Sequence, residues 1–195
     1  METKSQLKSL GMVFQKLVKI LCITFLAIGG INSTLFAKSK FCTSPVPVEQ
    51  VDVERYLGKW YEIARIPQIF QPFCTKVTAD YGLNENGTIE VVNRCRVADP
   101  VFGLPISVRG EASAVDATNS QLKVKFFGGL AVGDYWILEL DPDYGWALVG
   151  DPYRLTLYIL SRQPTLDESI ISNLYSLAET KHGYNTSRLM RTRQD

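Results

Sequence analysis

Gly58-Lys59-Trp60-Tyr61-Glu62-Ile63-Ala64-Arg65 decides how this chain folds. Aromatic and aliphatic residues run through the octet with no proline and no glycine after the first position, so it reads as a strand. Gly58 enters it without a Cβ, and Trp60 sets the largest side chain on one face two residues later. A rigid indole at a strand entry suits the narrow end of a small barrel. Arg162, closing the last strand-like run, can lay its planar guanidinium over that indole and donate to nearby carbonyls. Gly58, Trp60 and Arg162 are therefore expected to form a structural barrel floor.

Downstream, short runs rich in Val, Ile, Tyr, Phe and Thr alternate with Gly, Pro, Asn and Asp. The pattern predicts strands over Gly58 to Ile66, Phe73 to Leu83, Thr88 to Val97 and Ile106 to Val115. Four more are expected over Gln121 to Phe127, Asp134 to Leu140, Gly145 to Val149 and Leu155 to Arg162. Asn84-Glu85-Asn86-Gly87 and Pro142-Asp143 supply hairpin turns. Strands joined this tightly form an antiparallel meander, and a meander removes its edges by closing into an up-and-down barrel. The fold class is all-β: an eight-stranded antiparallel barrel with one C-terminal α-helix packed outside. That helix starts at Thr165 or Asp167, carries Ile170, Ile171, Leu174, Leu177 and Ala178 on one stripe, and ends at Gly183. Tyr184 to Met190 is expected to add a last extended segment.

Upstream, Lys4, Lys8, Lys16 and Lys19 precede an uncharged apolar run from Ile20 to Ala37. Residues 1–37 read as an export signal cleaved after Leu35-Phe36-Ala37. An uncleaved anchor is the alternative, weakened by Gly29, Gly30, Asn32 and Ser33. Cys22 follows Leu21 and Cys42 follows Phe41, so neither has the small preceding residue that bacterial lipid attachment needs, and a lipid anchor is disfavoured. Residues 38–50 are an extended lead-in around Ser44-Pro45-Val46-Pro47, and 51–195 form the barrel domain. The chain carries 21 basic and 20 acidic side chains; four lysines and Glu2 lie within 1–37, leaving 17 against 19 and a net charge of −2. With no basic surplus, no nucleic-acid partner is expected.

Gly58-x-Trp60, Asp143-Tyr144 before Ala147-Leu148-Val149, and Ile159-Leu160-Ser161-Arg162 resemble, in order and spacing, the three short motifs of the lipocalin family. Arg55 to Pro67, Val91 to Cys95 and Tyr135 to Leu138 are similar to the branch holding bacterial lipocalins of the Blc type and apolipoprotein D. The resemblance spans roughly residues 50 to 193. It implies a lipocalin barrel that takes a small hydrophobic ligand, a fatty acid or lysophospholipid, for lipid transport, storage or envelope maintenance. It also implies export to the periplasm, to the outer membrane or out of the cell.

Alternation assigns the barrel lining. If Trp60 points inward, so do Glu62 and Ala64, and Val77, Ala79, Tyr81 and Leu83 form the apolar face of the second strand. The resemblance places Val91 and Asn93 inward, with Tyr135, Ile137, Tyr158 and Leu160 as further wall. The expected ligand contacts are Ala64, Val77, Ala79, Tyr81, Val91, Asn93, Tyr135, Ile137 and Tyr158. Side chains alone can fill a barrel of this size, but the small Ala64 and Ala79 leave room. Glu62 puts a carboxylate in this apolar interior, so it needs a partner such as Arg94 or Arg109, in a salt bridge near the closed end.

Pro67 to Pro72 is an apolar loop overhanging the mouth, where Ile69 and Phe70 gate the entrance, contact a membrane surface or partner, or fold over the rim. Phe126 to Gly133 makes a second apolar mouth loop. Cys74 and Cys95 face each other across the Asn86-Gly87 hairpin, but alternation turns them to opposite faces, so pairing them requires a β-bulge. Cys42 is then spare and available for a homodimer. No catalytic residue, metal site or cofactor is expected: His182 suits the last helical turn as a cation, and no nucleophile elbow, His-Glu-x-x-His or Cys-x-x-Cys occurs. Two other readings are a pigment- or sterol-like-ligand binder and, less favoured, a lipid- or carotenoid-modifying enzyme using Glu62 or a thiol.

Overall fold

A computed structural model describes residues 44–68, 73–97 and 103–195. The leader, its cleavage site, Cys22, Cys42, Ile69 and Phe70 lie outside the described residues. A four-residue helix α1 (Val53–Tyr56), capped by the Asp52 carboxylate accepting from Arg55 N, leads into the sheet. The strands are β1 (Gly58–Arg65), β2 (Cys74–Leu83), β3 (Ile89–Val97), β4 (Pro105–Ala114), β5 (Gln121–Phe126), β6 (Ala131–Leu140), β7 (Trp146–Gly150) and β8 (Leu157–Ser161). Helix α2 (Glu168–Thr180), a 3-10 turn (Thr186–Arg188) and β9 (Met190–Arg191) complete the order. Every sequential pair of strands from β1 to β8 is antiparallel, and β1 also pairs β8, so the wall closes into an eight-stranded barrel with β9 added beside β1.

The topology sets two ends. Loops β1–β2, β3–β4, β5–β6 and β7–β8 lie at the end away from Gly58, which is the mouth. β6 begins at Ala131, three residues before the expected Asp134, because the apolar glycine-rich stretch pairs with β5 up to Phe126↔Ala131. A 3-10 turn over Phe127–Gly129 then makes the tip.

Two faces of the sheet pack separately. The inward face holds Trp60, Ile137, Ala147, Val149 and Leu160 at one end and Ile89, Val91, Ala112, Leu122 and Val124 along the other wall. On the outer face, Ile171, Leu174 and Ala178 of α2 cover Ile63, Leu138, Leu148 and Ile159. The side-chain cap of Asp167 on Ser169 N starts this helix, and Gly183, at φ 74°, follows its end. No helix among the described residues is long and apolar enough to cross a membrane.

Two bulges correct the expected alternation. In β1 the register with β8 shifts between Glu62 and Ala64, so both Ile63 and Ala64 join the outer cluster under α2, and Ala64 does not line the interior. Arg65 thereby turns inward, opposite Tyr158. In β2 the register shifts between Thr75 and Thr78, with Lys76 at φ 50°. That bulge brings Cys74 to the side of Cys95, and the two are disulfide-bonded with Cα atoms 5.5 Å apart. Leu83, expected on the inner face, stands 56% exposed at the closed end.

β1 and β2 pair only from Gly58↔Tyr81 to Tyr61↔Thr78. Above that point the C-terminal residues fill the seam. Thr192 N donates to Ile63 O, Lys76 N donates to Arg193 O, and the Gln194 amide donates to both Glu62 O and Val77 O.

Candidate ligand-binding site

The floor is tied from three pieces of chain. Arg162 sits 3.9 Å over the Trp60 ring and donates to Lys59 O (2.9 Å), Arg55 O (2.7 Å) and Tyr144 O (3.3 Å). The indole N–H donates to Tyr56 O, and Tyr144 Oη accepts from Asp52 N. Trp60 is fully buried. Gly58 is needed here for its backbone angle, φ 90°, rather than for close passage, since an added Cβ would stand 3.5 Å from Arg162 Nη1, an ordinary contact.

Above the floor three tyrosines meet. Tyr135 Oη lies 2.8 Å from Tyr56 Oη and 3.0 Å from Tyr81 Oη, and the Tyr56 ring packs 4.9 Å from Trp60. Burial raises all three hydroxyl pKa values, that of Tyr81 to about 12, so they remain protonated. Three hydroxyls carry three protons and share two bonds. One proton and several lone pairs are left for whatever enters.

Ala79, Tyr81, Val91, Asn93, Tyr135, Ile137 and Tyr158 all occupy inward register positions, while Val77 is buried within the β2 bulge, where no cross-strand partner sets its face. Tyr81, Asn93, Tyr135 and Tyr158 are only half-buried although they point into a closed barrel. Side chains that filled a solid core would be buried outright, so these line open space. At Gly133, opposite the inward Val124, an added Cβ would meet no atom within 4 Å.

Glu62 does point inward, opposite Leu160, and its partner is Arg65 at 2.5 Å, not Arg94 or Arg109. Arg94 pairs with Asp80, and Arg109 with Glu90 at 2.9 Å, both on the exposed outer face. The Glu62–Arg65 pair lies on the mouth side of Trp60, is almost fully buried, and is bridged by Thr192, whose hydroxyl donates to Glu62 and accepts from Arg65. Arg65 also donates to Cys74 O across the seam. Burial, with the nearby Glu62 charge adding to it, pushes the Tyr158 hydroxyl pKa well above its ordinary value.

Tyr56 and Arg65 are the interior groups that strand alternation misses. Tyr56 belongs to a helix too short to show a period, and Arg65 is turned by a bulge. The cue for Arg65 is electrostatic, since an inward Glu62 needs a cation and Lys59 and Arg65, three residues to either side, are the nearest in sequence.

His182 is not an exposed helix-end cation. It is 1% exposed, its Nε2 lies 2.7 Å from a Glu139 carboxylate that Lys181 also contacts, and burial lowers its pKa. A histidine held below its unfolded pKa of about 6.5 stabilises the fold above that pH, and the contribution is lost as pH falls. Urea midpoints measured from pH 7 to 5 are expected to fall less steeply in His182→Gln than in the parent; equal slopes would exclude the histidine as their source.

A sealed floor, an interior lined by half-buried aromatic side chains and an outer helix define a β-barrel cup. Residues 51–194 match the lipocalin-like domain, and the chain belongs to the lipocalin family. It is 38% identical over 160 residues to the outer membrane lipoprotein Blc of Escherichia coli K12, covering 78% of this chain and 88% of that protein. Temperature-induced lipocalin-1 of Arabidopsis thaliana is 40% identical over 156 residues, covering 75% of this chain and 81% of the relative. Mouse apolipoprotein D is 35% identical over 164 residues, covering 78% and 82%. Lobster apocrustacyanin A1 shares the fold with a TM-score of 0.58 at 18% identity, over 73% of this chain and 79% of the other.

Proposed function

We propose that this protein is an exported, non-enzymatic carrier of a small hydrophobic ligand with one polar end, a fatty acid or lysophospholipid, serving lipid transport, storage or envelope maintenance. The observation that carries the reading is the set of half-buried inward residues, Tyr81, Asn93, Tyr135 and Tyr158, inside a closed wall above the buried Trp60. Aliphatic positions such as Val91 and Ile137 suit an acyl chain, whose burial contributes about 25 cal/mol per Å² before ordering costs. Tyrosine hydroxyls and the Asn93 amide, which bonds no described residue, suit its polar end.

The leader and the relationship to an outer membrane lipoprotein support export to the envelope. Attachment without an acylated cysteine is the reading that Leu21-Cys22 and Phe41-Cys42 favour. The enzymatic alternative is disfavoured because Arg65 and Thr192 occupy Glu62.

Tyr81→Ala and Tyr158→Ala are each expected to weaken binding of a fluorescent fatty acid about tenfold, from lost contact area and hydroxyls, with the circular dichroism of the barrel retained. Unchanged titration in both variants would remove these residues from the site. Mass spectrometry of what co-purifies identifies the ligand, and visible absorbance of the purified protein would favour a pigment instead.

A further inference from the structure

The four mouth loops share a property that the carrier reading leaves unused. Each presents a large apolar side chain to solvent: Phe73 in the first, Leu104 in the second, Phe127 and Leu130 in the third, Tyr153 and Leu155 in the fourth. Leu130 is 91% exposed and Phe73 75%. Two of these, Phe73 and Phe127, hold the left-handed backbone at φ 60° and 51°, a conformation that bulky residues avoid. Strained display of an aromatic group outward is a cost the fold itself does not need, and it points to a partner.

Charge is divided between the two ends. Lys76, Arg96, Lys125 and Arg193 stand exposed just below the rim, with two exposed acids among them, Glu111 opposite Lys125 and Asp195 near Lys76 and Arg193. Among the described residues of the mouth loops the one acid, Asp151, is buried and accepts from Tyr153 N and from Thr156 N and Oγ1; Asp99 lies in the β3–β4 loop outside the described residues. The closed end exposes Glu54, Glu85, Asp116 and Asp143 against the exposed Lys59, while two further cations, Arg55 and Arg162, are turned onto Tyr144 and Trp60. An apolar rim backed by cations, opposite an acidic base, matches an anionic bilayer and orients the molecule on it.

We propose that the protein docks mouth-down on an anionic lipid surface, the exposed apolar side chains named above at the acyl boundary and its rim cations against headgroup phosphates, so that ligand passes between bilayer and cup without crossing water. The proposal rests on the carrier reading and names the surface from which the cup is loaded.

Full-length Leu130→Trp, mixed with vesicles of phosphatidylcholine and phosphatidylglycerol brominated in their acyl chains, is expected to gain quenching over the parent. Val115→Trp, at the closed end, is expected to gain none. Adding Lys76→Glu and Lys125→Glu, or omitting phosphatidylglycerol, is expected to reduce the Leu130→Trp quenching at least fivefold. Displacement of a fluorescent fatty acid in vesicle-free solution should stay unchanged in the charge-reversed protein. Quenching absent at position 130, equal at both positions, or indifferent to charge overturns the docking. Failure of the parent to bind the fatty acid in vesicle-free solution overturns the carrier reading instead.

Discussion

Arg162→Ala is expected to destabilise the protein by about 3 kcal/mol, since it removes three charge-assisted hydrogen bonds and a cation–π contact at a partly solvated site. For a domain of this size that is roughly 6–12 °C in melting temperature. The carbonyls of Arg55, Lys59 and Tyr144 come from α1, the start of β1 and the β6–β7 turn, so one side chain fastens three pieces at once, beside the bonds from Asp52 N to Tyr144 Oη, from Arg55 to Pro142 O and from the Trp60 indole to Tyr56 O. The guanidinium hydrogen-bonds backbone carbonyls and none of the half-buried lining side chains, so fatty-acid affinity per folded molecule should stay within about twofold. A variant that melts normally but binds poorly would contradict the structural assignment of the floor.

Glu62→Ala is expected to cost about 3–5 kcal/mol, read from urea midpoints, because it strips the carboxylate from a buried guanidinium. Its Oε1 accepts from both Arg65 and Thr192, so the substitution also loosens the C-terminal segment from the seam. The expected signature is non-additivity: Glu62→Leu combined with Arg65→Met should recover most of the loss, since a matched apolar pair leaves no charge to desolvate. Equal damage in the double variant, or a loss under about 1 kcal/mol in Glu62→Ala, would mean that the pair is solvated rather than buried.

The barrel was legible because its strands are regular and its turns carry their own chemistry. Trp60, Ala79, Tyr81 and Val91 sit on unbroken stretches where period two holds, and their inward placement follows. Ala64 fails by one residue, because nothing in Ile63-Ala64 marks a bulge: both are apolar and both suit either face of a wall that has a helix outside and a cavity inside. The Cys74–Cys95 bulge was legible for the opposite reason, since a covalent bond demanded it. His182 misled because a helix-end position says nothing of what packs over it, and Glu139 arrives from β6, 43 residues away.

The seam between β1 and β2 has a consequence for biogenesis. Residues 190–194 finish a wall whose edges are residues 62–65 and 76–77, so no chain emerging from a ribosome or a translocation pore can complete the vessel before residue 194 is out. Until then the slit between β1 and β2 stays open. Closing across so long a sequence interval is also slow. Retention of any ligand is thereby tied to the folding of the segment 190–194.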